Sequence, residues 1–433
     1  MIQKRREGFF YGWVIVAVST LALLISNGLS IGGIPVFYKP IQEDLLASGA
    51  LTAQTADSVT GFGASLTFLL AGAGSLLVGI LIKRFSLKSL MIAGCVLLGG
   101  GLLFYSQARA PWQIYASHSL LGASLGLVGV MIQTVLVANW FRRRRGLAMG
   151  IVLTGTSFGG VIVPLIARPL IASQGWRTAM IIVSAVIWLV LLPAIILFVK
   201  DRASDVGANF DGDESTDDDA PAAAVTGFSL GEALRTAHFW VLALCAAAVF
   251  YPIFTASQQF ILHIQKSPSI GIDAGTASLA QSFLFATSVG GKFFFGWLSD
   301  RLPTVRVMLI CCAVMFAATV ILLGWLTADT VFVFLIPFGL GYGGTFVLLQ
   351  LLTVEYFGLK DIGRILGVLT VIETVGGAIG GTVTGMIAAA DGGNYTRAFY
   401  GVTIAAGVAL LSVVILNIMR TPQNVTGAAT DAP

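Results

Sequence analysis

Stretches of about twenty consecutive apolar residues recur along this chain, each long enough to carry an α-helix across the roughly 30 Å hydrocarbon core of a bilayer. Their approximate bounds are 10–33, 58–82, 89–107, 112–138, 147–171 and 177–199; after a polar interval they resume at 238–263, 277–299, 305–327, 330–356, 365–390 and 396–419. Backbone N–H and C=O groups find no partner in lipid, so each run is expected to be helical. Of the 433 residues, 56% are hydrophobic and 11% charged. Soluble domains hold about 25% charged residues. Too little polar surface remains to cover two or three soluble domains, so the bilayer has to act as part of the solvent. The expected fold is an all-α membrane protein of twelve transmembrane helices in two six-helix bundles.

Lys and Arg in short loops set the direction of the spans. With the N-terminus inside, eighteen of the 25 basic residues fall in cytoplasmic segments, six fall outside, and Lys292 lies within a span. Both termini are therefore expected in the cytoplasm, and the location expected is a plasma (bacterial inner) membrane. The opening Met1 to Glu7 is basic, but the apolar run behind it is longer than a signal-peptide core, so it is expected to remain as the first helix. The organisation that follows is an N-terminal bundle (1–199), an acidic cytoplasmic linker (200–235), a C-terminal bundle (236–420) and a cytoplasmic tail (421–433). Asp211, Asp213, Glu214 and Asp217 to Asp219 make the linker polar and flexible in expectation. Their spacing lacks the glycine and terminal glutamate of an EF-hand. Cys95, Cys245, Cys311 and Cys312 lie inside apolar runs and read as buried small hydrophobes. No cluster of His, Cys or carboxylates has catalytic or metal spacing, so neither an enzyme nor a metal or cofactor protein is expected. The net charge of +4 carries no nucleic-acid signal.

The halves repeat each other. A shift of 217 residues lays Gly79 on Gly296, Arg84 on Arg301, Gly146 on Gly363, Gly150 on Gly367, and Gly159-Gly160 on Gly376-Gly377. Glycines, arginines and loop positions agreeing at one offset indicate two six-helix units in parallel repeat. That is the pattern of a carrier whose halves rock about a solute held near the midplane.

Gly296 to Arg301, with Asp300 and with Arg306 beyond, resembles the loop 8–9 signature G-x3-D-R of the major facilitator superfamily. In the loop 2–3 copy, Gly79 and Arg84 are kept but Lys83 stands where that family usually has aspartate. The resemblance implies a charged latch on the cytoplasmic side, with Lys83 leaving its N-terminal part open to question. Within the superfamily, Phe10 to Trp13, Trp140-Phe141, Arg144 to Gly150 and Gly155 to Pro164 are similar to the monocarboxylate porter and oxalate–formate exchanger group. The resemblance covers the chain except the linker. The proline-bearing antiporter signature of drug exporters and the P-E-S-P-R turn of sugar porters do not occur. No nucleotide-binding loop occurs either, so transport would run on gradients.

Two charges stand in the wrong solvent. Lys292 is eight residues before Asp300, which places it about 12 Å into the membrane at 1.5 Å per residue. An unpartnered ammonium there costs about 2.5–3.5 kcal/mol. It reads as a docking point for an anionic solute; the alternative is a stem packed on lipid with its head at the interface. In the monocarboxylate group this position is commonly arginine, and lysine loses the two-pronged fork that grips a carboxylate. Glu373, nine residues after Arg364, lies at a similar depth. It is expected to bind the coupling proton; the alternative is a permanent ion pair with Lys292. The repeat matches Lys292 with Ser75 and Glu373 with Thr156, so small hydroxyls stand in the first half where the second has charges. The first half is expected to line the site while the second holds the ionic chemistry.

His118 is a second candidate protonation site, since its ordinary pKa lies near neutrality, or else a hydrogen-bonded structural residue. Asn27, Gln133, Gln258, Gln281, Tyr342 and Gln350 are candidate hydrogen-bonding groups for the solute, with helix-to-helix bonding as the alternative for each. Gly79, Arg84, Gly296, Asp300, Arg301 and Arg306 are the candidate gating residues. The expected function is secondary active transport of a small organic anion, chiefly a monocarboxylate, by proton symport or exchange through alternating access. Its partners would be that anion, protons and the bilayer, with the carrier working as a monomer. The alternative is efflux of drugs or other amphiphiles.

Overall fold

A computed structural model describes residues 10–52, 55–212, 227–266, 270, 272, 274–324, 326–327, 329–391 and 395–419. Lys4, Arg5, Arg6, the acidic run 213–219, Arg420 and the tail 421–433 lie outside the described residues. Among the described residues the chain is helical, with no β-strand and one isolated bridge between Gly227 and Gly358.

The first half forms α1 (Gly12–Asn27), α2 (Pro35–Ala47), α3 (Ala56–Leu81), α4 (Leu87–Ser106), α5 (Pro111–Val128), α6 (Val130–Ala138), α7 (Arg145–Val186) and α8 (Leu192–Phe198). The short α9 (Leu230–Leu234) precedes α10 (Ala237–Lys266), α11 (Ala274–Ser299), α12 (Thr304–Gly324), α13 (Val331–Phe357), α14 (Ile362–Ala390) and α15 (Thr396–Ile418). Ten helical stretches among the described residues are long and apolar enough to cross a membrane. One of them, Arg145–Phe198, runs 54 residues. At 1.5 Å per residue that is about 80 Å, more than twice a bilayer core. Gly175 breaks it, at φ 79° and ψ 160°, between the fifth and sixth apolar runs of the sequence; that backbone conformation is open to glycine and strained for other residues. α11 is 26 residues long, but Gln281, Ser282, Ser288 and Lys292 dilute its apolar character, and it is not among the ten.

Two irregularities sit beside the central cavity. α1 continues through a π-helical turn, Gly28–Gly32, where Gly28 lies against Gly159 of α7 and Gly32 against Gly160. α5 gives way to α6 at Gly129, and the Gln133 side chain donates to the Val128 carbonyl at 3.0 Å across the break. Leu165, Leu189, Leu197, Ile404 and Ile418 leave more than 60% of their surface outward. Apolar faces of this extent call for lipid.

Across the interface between the halves, α3 packs on α14 and α11 packs on α7. These two contacts exchange under the 217-residue repeat. The segment expected to be a flexible linker is tethered along both of its described ends. Asp201 accepts from the N–H groups of Leu87 (2.8 Å) and Lys88 (3.0 Å) and so caps α4. Asp211 accepts from the backbone N–H groups of Arg142, Arg143 and Arg144 at 2.7–3.1 Å, just ahead of α7. At the far end Phe228 N–H donates to the Phe357 carbonyl at 2.9 Å.

Candidate functional site

A cavity of about 200 Å³ lies between the halves, walled by α1, α3, α5 to α7, α10, α11, α13 and α14. Six aromatic rings line it: Phe68, Phe250, Phe254, Phe285, Tyr342 and Phe346. Asn27, Ser75, Thr156, Ser257, Thr370 and Thr374 add polar atoms, and Glu373 is the one charged lining residue. A second, mainly apolar cavity of about 460 Å³ between α3, α10 and α14 shares Phe68, Phe254 and Thr374 with the first.

Lys292 lies just behind this wall and is fully buried. Its ammonium donates to Thr156 Oγ1 at 2.7 Å and Ser157 Oγ at 2.6 Å, both on α7 of the opposite half. It also sits 5.4 Å from the Tyr342 ring centre and 5.2 Å from that of Phe346, within reach of a cation–π attraction. An ammonium has three donors, and hydroxyls take two of them. Glu373 is 6% exposed and accepts from Gln350 Nε2 at 3.4 Å. No ion pair joins Lys292 and Glu373 among the described residues. The two groups stand on α11 and α14, one behind the cavity wall and one on it.

Other candidates divide. Asn27 and Tyr342 line the cavity. Gln350 touches Glu373 from behind. Gln133 is buried away from the cavity and repairs the α5–α6 break, leaving its Oε1 without a partner. Gln258 and Gln281 have side chains outside the described residues. His118 is fully buried, with Nδ1 2.8 Å from Thr67 Oγ1 and Nε2 3.2 Å from the Tyr105 hydroxyl. Thr67 also donates to the His118 carbonyl, so a neutral ring protonated on Nδ1 satisfies every partner. That geometry favours the structural alternative for His118. Ser157 and five of the rings escaped the sequence reading. Phe250 with Phe254, and Phe346 with the candidate Tyr342, form i,i+4 pairs that each put two rings on one helix face; Ser157, Phe68 and Phe285 carry no comparable signal.

At the basic ends of α3, α7, α11 and α14 the halves close on each other. A Cβ at Gly79 would strike the Gly363 backbone, and one at Gly146 would strike that of Gly296. Asp300 accepts from the N–H groups of Gly146 (2.7 Å) and Leu147 (2.8 Å) at the start of α7, where the helix dipole favours an anion. Lys83, the residue out of keeping with the family signature, forms an ion pair with Asp361 ahead of α14. Under the repeat Lys83 matches Asp300 and Arg144 matches Asp361, so the first half makes the corresponding contact with its polarity reversed. Burial pushes the Asp300 carboxyl above the usual carboxylate range against its two N–H donors. Burial acts the same way on Asp361, but the Lys83 ammonium and the Leu230 N–H outweigh it and hold that carboxyl below the range. The Arg301 guanidinium stacks 3.8 Å from the centre of the Trp297 ring. Arg84 and Arg306 make no side-chain hydrogen bond or ion pair among the described residues.

The family model of the Major Facilitator Superfamily matches residues 16–268 and 260–432. The chain belongs to that superfamily and resembles its monocarboxylate group. It is 24% identical over 412 residues to monocarboxylate transporter 12 of Rattus norvegicus, covering 90% of this chain and 82% of that one. It is 26% identical over 411 residues to the MFS transporter asaE of Aspergillus flavus, covering 94% and 87%. In structure it is similar to the proton:xylose symporter XylE, with a TM-score of 0.73 at 12% identity over 96% of this chain and 98% of that one. The fucose:proton symporter FucP of E. coli matches with a TM-score of 0.68 at 16% identity over 94% and 99%. The relatives are transporters, and the chain is an integral membrane transporter of small molecules.

Proposed function

We propose that this chain is a twelve-span secondary transporter that moves a small organic anion, a monocarboxylate, by proton symport or anion exchange. The observation that carries the reading is Lys292: a fully buried ammonium held by two hydroxyls and no carboxylate, just behind the wall of the central cavity. A buried cation without a counter-ion is costly, and an anionic solute removes that cost. The solute's carboxylate replaces the Thr156 and Ser157 hydroxyls on Lys292 while Glu373 holds the coupling proton. Because Thr156 and Ser157 belong to the first half and Lys292 to the second, loading the site loosens a tie between the halves. The relatives named as monocarboxylate transporters support the solute class.

Reading the stretch broken at Gly175 as two spans and α11 as another brings ten crossings to twelve. Both termini and the basic loops then face the cytoplasm across a plasma or bacterial inner membrane. The bundles are residues 1–199 and 236–420, and the closed basic end makes the cavity outward-facing. The carrier works as a monomer.

Purified protein in liposomes tests this by uptake of labelled carboxylates with and without an inward proton gradient. Uptake that collapses in Lys292→Met is expected, and no carboxylate uptake under either condition would overturn the reading. A second reading, efflux of amphiphiles, draws support from the apolar cavity between α3 and α14. It predicts Lys292-independent export of uncharged solutes from the same vesicles.

A further inference from the structure

The cavity's rings are joined to one another. Phe68 on α3 meets Phe254 on α10 edge to face, with centres 5.0 Å apart. Phe254 stacks with Phe250 at 5.9 Å, and Phe250 lies 5.6 Å from Phe346 on α13. Phe346 meets Tyr342 at 6.4 Å, and the last two rings are those beside the Lys292 ammonium. A continuous aromatic track therefore runs from the first half across α10 and ends at the buried cation. Ring faces carry negative charge and ring edges positive charge, so such a track favours another ring laid against it over an aliphatic chain of equal area. For a two- or three-carbon acid most of this surface would go unused.

The cavity's volume accords with a small solute. About 200 Å³ is below the roughly 300–1,000 Å³ of sites for drug-sized ligands, and suits one ring with a short acidic arm.

We propose that the preferred solute is an aryl carboxylate, its ring on the Phe254–Phe250–Phe346 track and its carboxylate on Lys292. This rests on the reading that Lys292 receives the anion. The track selects the body of the solute and the lysine selects its charge. Thr156, hydrogen-bonded to Lys292 and exposed to the cavity, marks the point where the two parts of the site meet.

Equilibrium binding to the purified protein in detergent tests this without interference from passive permeation of aryl acids. The probes are propionate, cyclohexanecarboxylate, benzoate, phenylacetate and benzamide, titrated against wild type, Phe254→Leu, Phe346→Leu and Lys292→Met. Aryl acids are expected to bind about tenfold more tightly than cyclohexanecarboxylate, an advantage of the size found for aromatic pairs, and to lose it in either leucine variant. Equal affinity for ring and aliphatic acids, with both lost in Lys292→Met, would overturn the aryl preference and leave the organic-anion reading standing. Benzamide binding as well as benzoate, with Lys292→Met unaffected, would overturn the organic-anion reading and this inference with it. The comparison among probes on wild-type protein decides the matter even where a leucine variant fails to fold.

Discussion

At positions related by the 217-residue repeat, the first half presents Ser75 and Thr156 to the central region where the second half has Lys292 and Glu373. At the basic end the same comparison sets Lys83 and Arg144 against Asp300 and Asp361. The backbone frame is symmetric, down to the paired close approaches of Gly79 with Gly363 and Gly146 with Gly296. The chemistry placed on it is not. An interface between matched positions would bring like against like, whereas the contacts made here by charged groups join unlike ones: hydroxyl to ammonium in the middle, cation to anion or anion to helix N-terminus at the end. On the mechanism proposed above the frame serves rocking, and the asymmetry decides what is bound and which contacts must break.

The largest test moves the charge between halves. Lys292→Met is expected to weaken carboxylate binding by about 2 kcal/mol, roughly 30-fold, as for loss of a hydrogen bond to a charged group. If the frame alone mattered, the swapped double variant Ser75→Lys with Lys292→Ser would restore binding. It is expected to fail, because the repeat places Leu125 and Gly129 where the second half has Tyr342 and Phe346, so the transplanted ammonium has no aromatic platform. Restored binding would show that the asymmetry is incidental.

Glu373→Gln comes next. It is expected to abolish stimulation of uptake by an inward proton gradient while anion exchange continues, since the amide keeps Gln350 as a neighbour but carries no proton in turn. Gradient-driven uptake at the wild-type level would remove Glu373 from the coupling step.

A smaller effect separates the two basic-end contacts. Asp300→Asn leaves one N–H bond, now to a neutral oxygen, and sets an amide NH2 against the other N–H, because Gly146 and Leu147 donate to different carboxylate oxygens. It is expected to shift the open-to-closed ratio toward the open form about tenfold, roughly 1.4 kcal/mol. Lys83→Met removes an ion pair whose lysine is 46% exposed, worth about 1 kcal/mol or less, a shift of fivefold at most. Spin-label distances across the basic end read both. A larger effect at Lys83 would mean that the reversed pair is the principal latch.

Much of this was legible in the chain because its causes are local or periodic. Apolar run length gave the helices, and the single offset gave the match of α3 with α11 and of α7 with α14, while the packing of α3 on α14 and of α7 on α11 came from the structure. The depth of Lys292 and Glu373 followed from counting residues to Asp300 and Arg364. The partner of Lys83 was hidden, since Asp361 is distant in sequence and nothing about an isolated lysine tells which acid it will meet. Ser157 and the aromatic track were hidden for a related reason: in a chain with 28 phenylalanines, composition does not say which rings face lipid and which a cavity. His118 illustrates the reverse case. Its residue type suggested proton transfer, and its hydrogen bonds to Thr67 and Tyr105 instead describe a neutral ring holding α3, α4 and α5 together.

Acidification should act on the two contacts with opposite sign, and this is the smallest effect expected. In the closed arrangement Asp300 has its carboxyl raised by burial, so it takes up a proton more readily than an aspartate free in water. Asp361, held down by Lys83 and the Leu230 N–H against the effect of burial, does so less readily. A proton that binds the closed form more tightly favours closure, and one that binds it less tightly favours opening. As pH falls toward the ordinary aspartate value of about 4, the closed fraction is expected to rise slightly through Asp300. Below that value it should fall as Asp361 is neutralised and its pair with Lys83 is lost. Spin-label distances measured from pH 7 downward should show the rise in wild type and in Lys83→Met, and not in Asp300→Asn. A rise that survives Asp300→Asn would place the titrating group elsewhere and leave the two contacts alike in their response to protons.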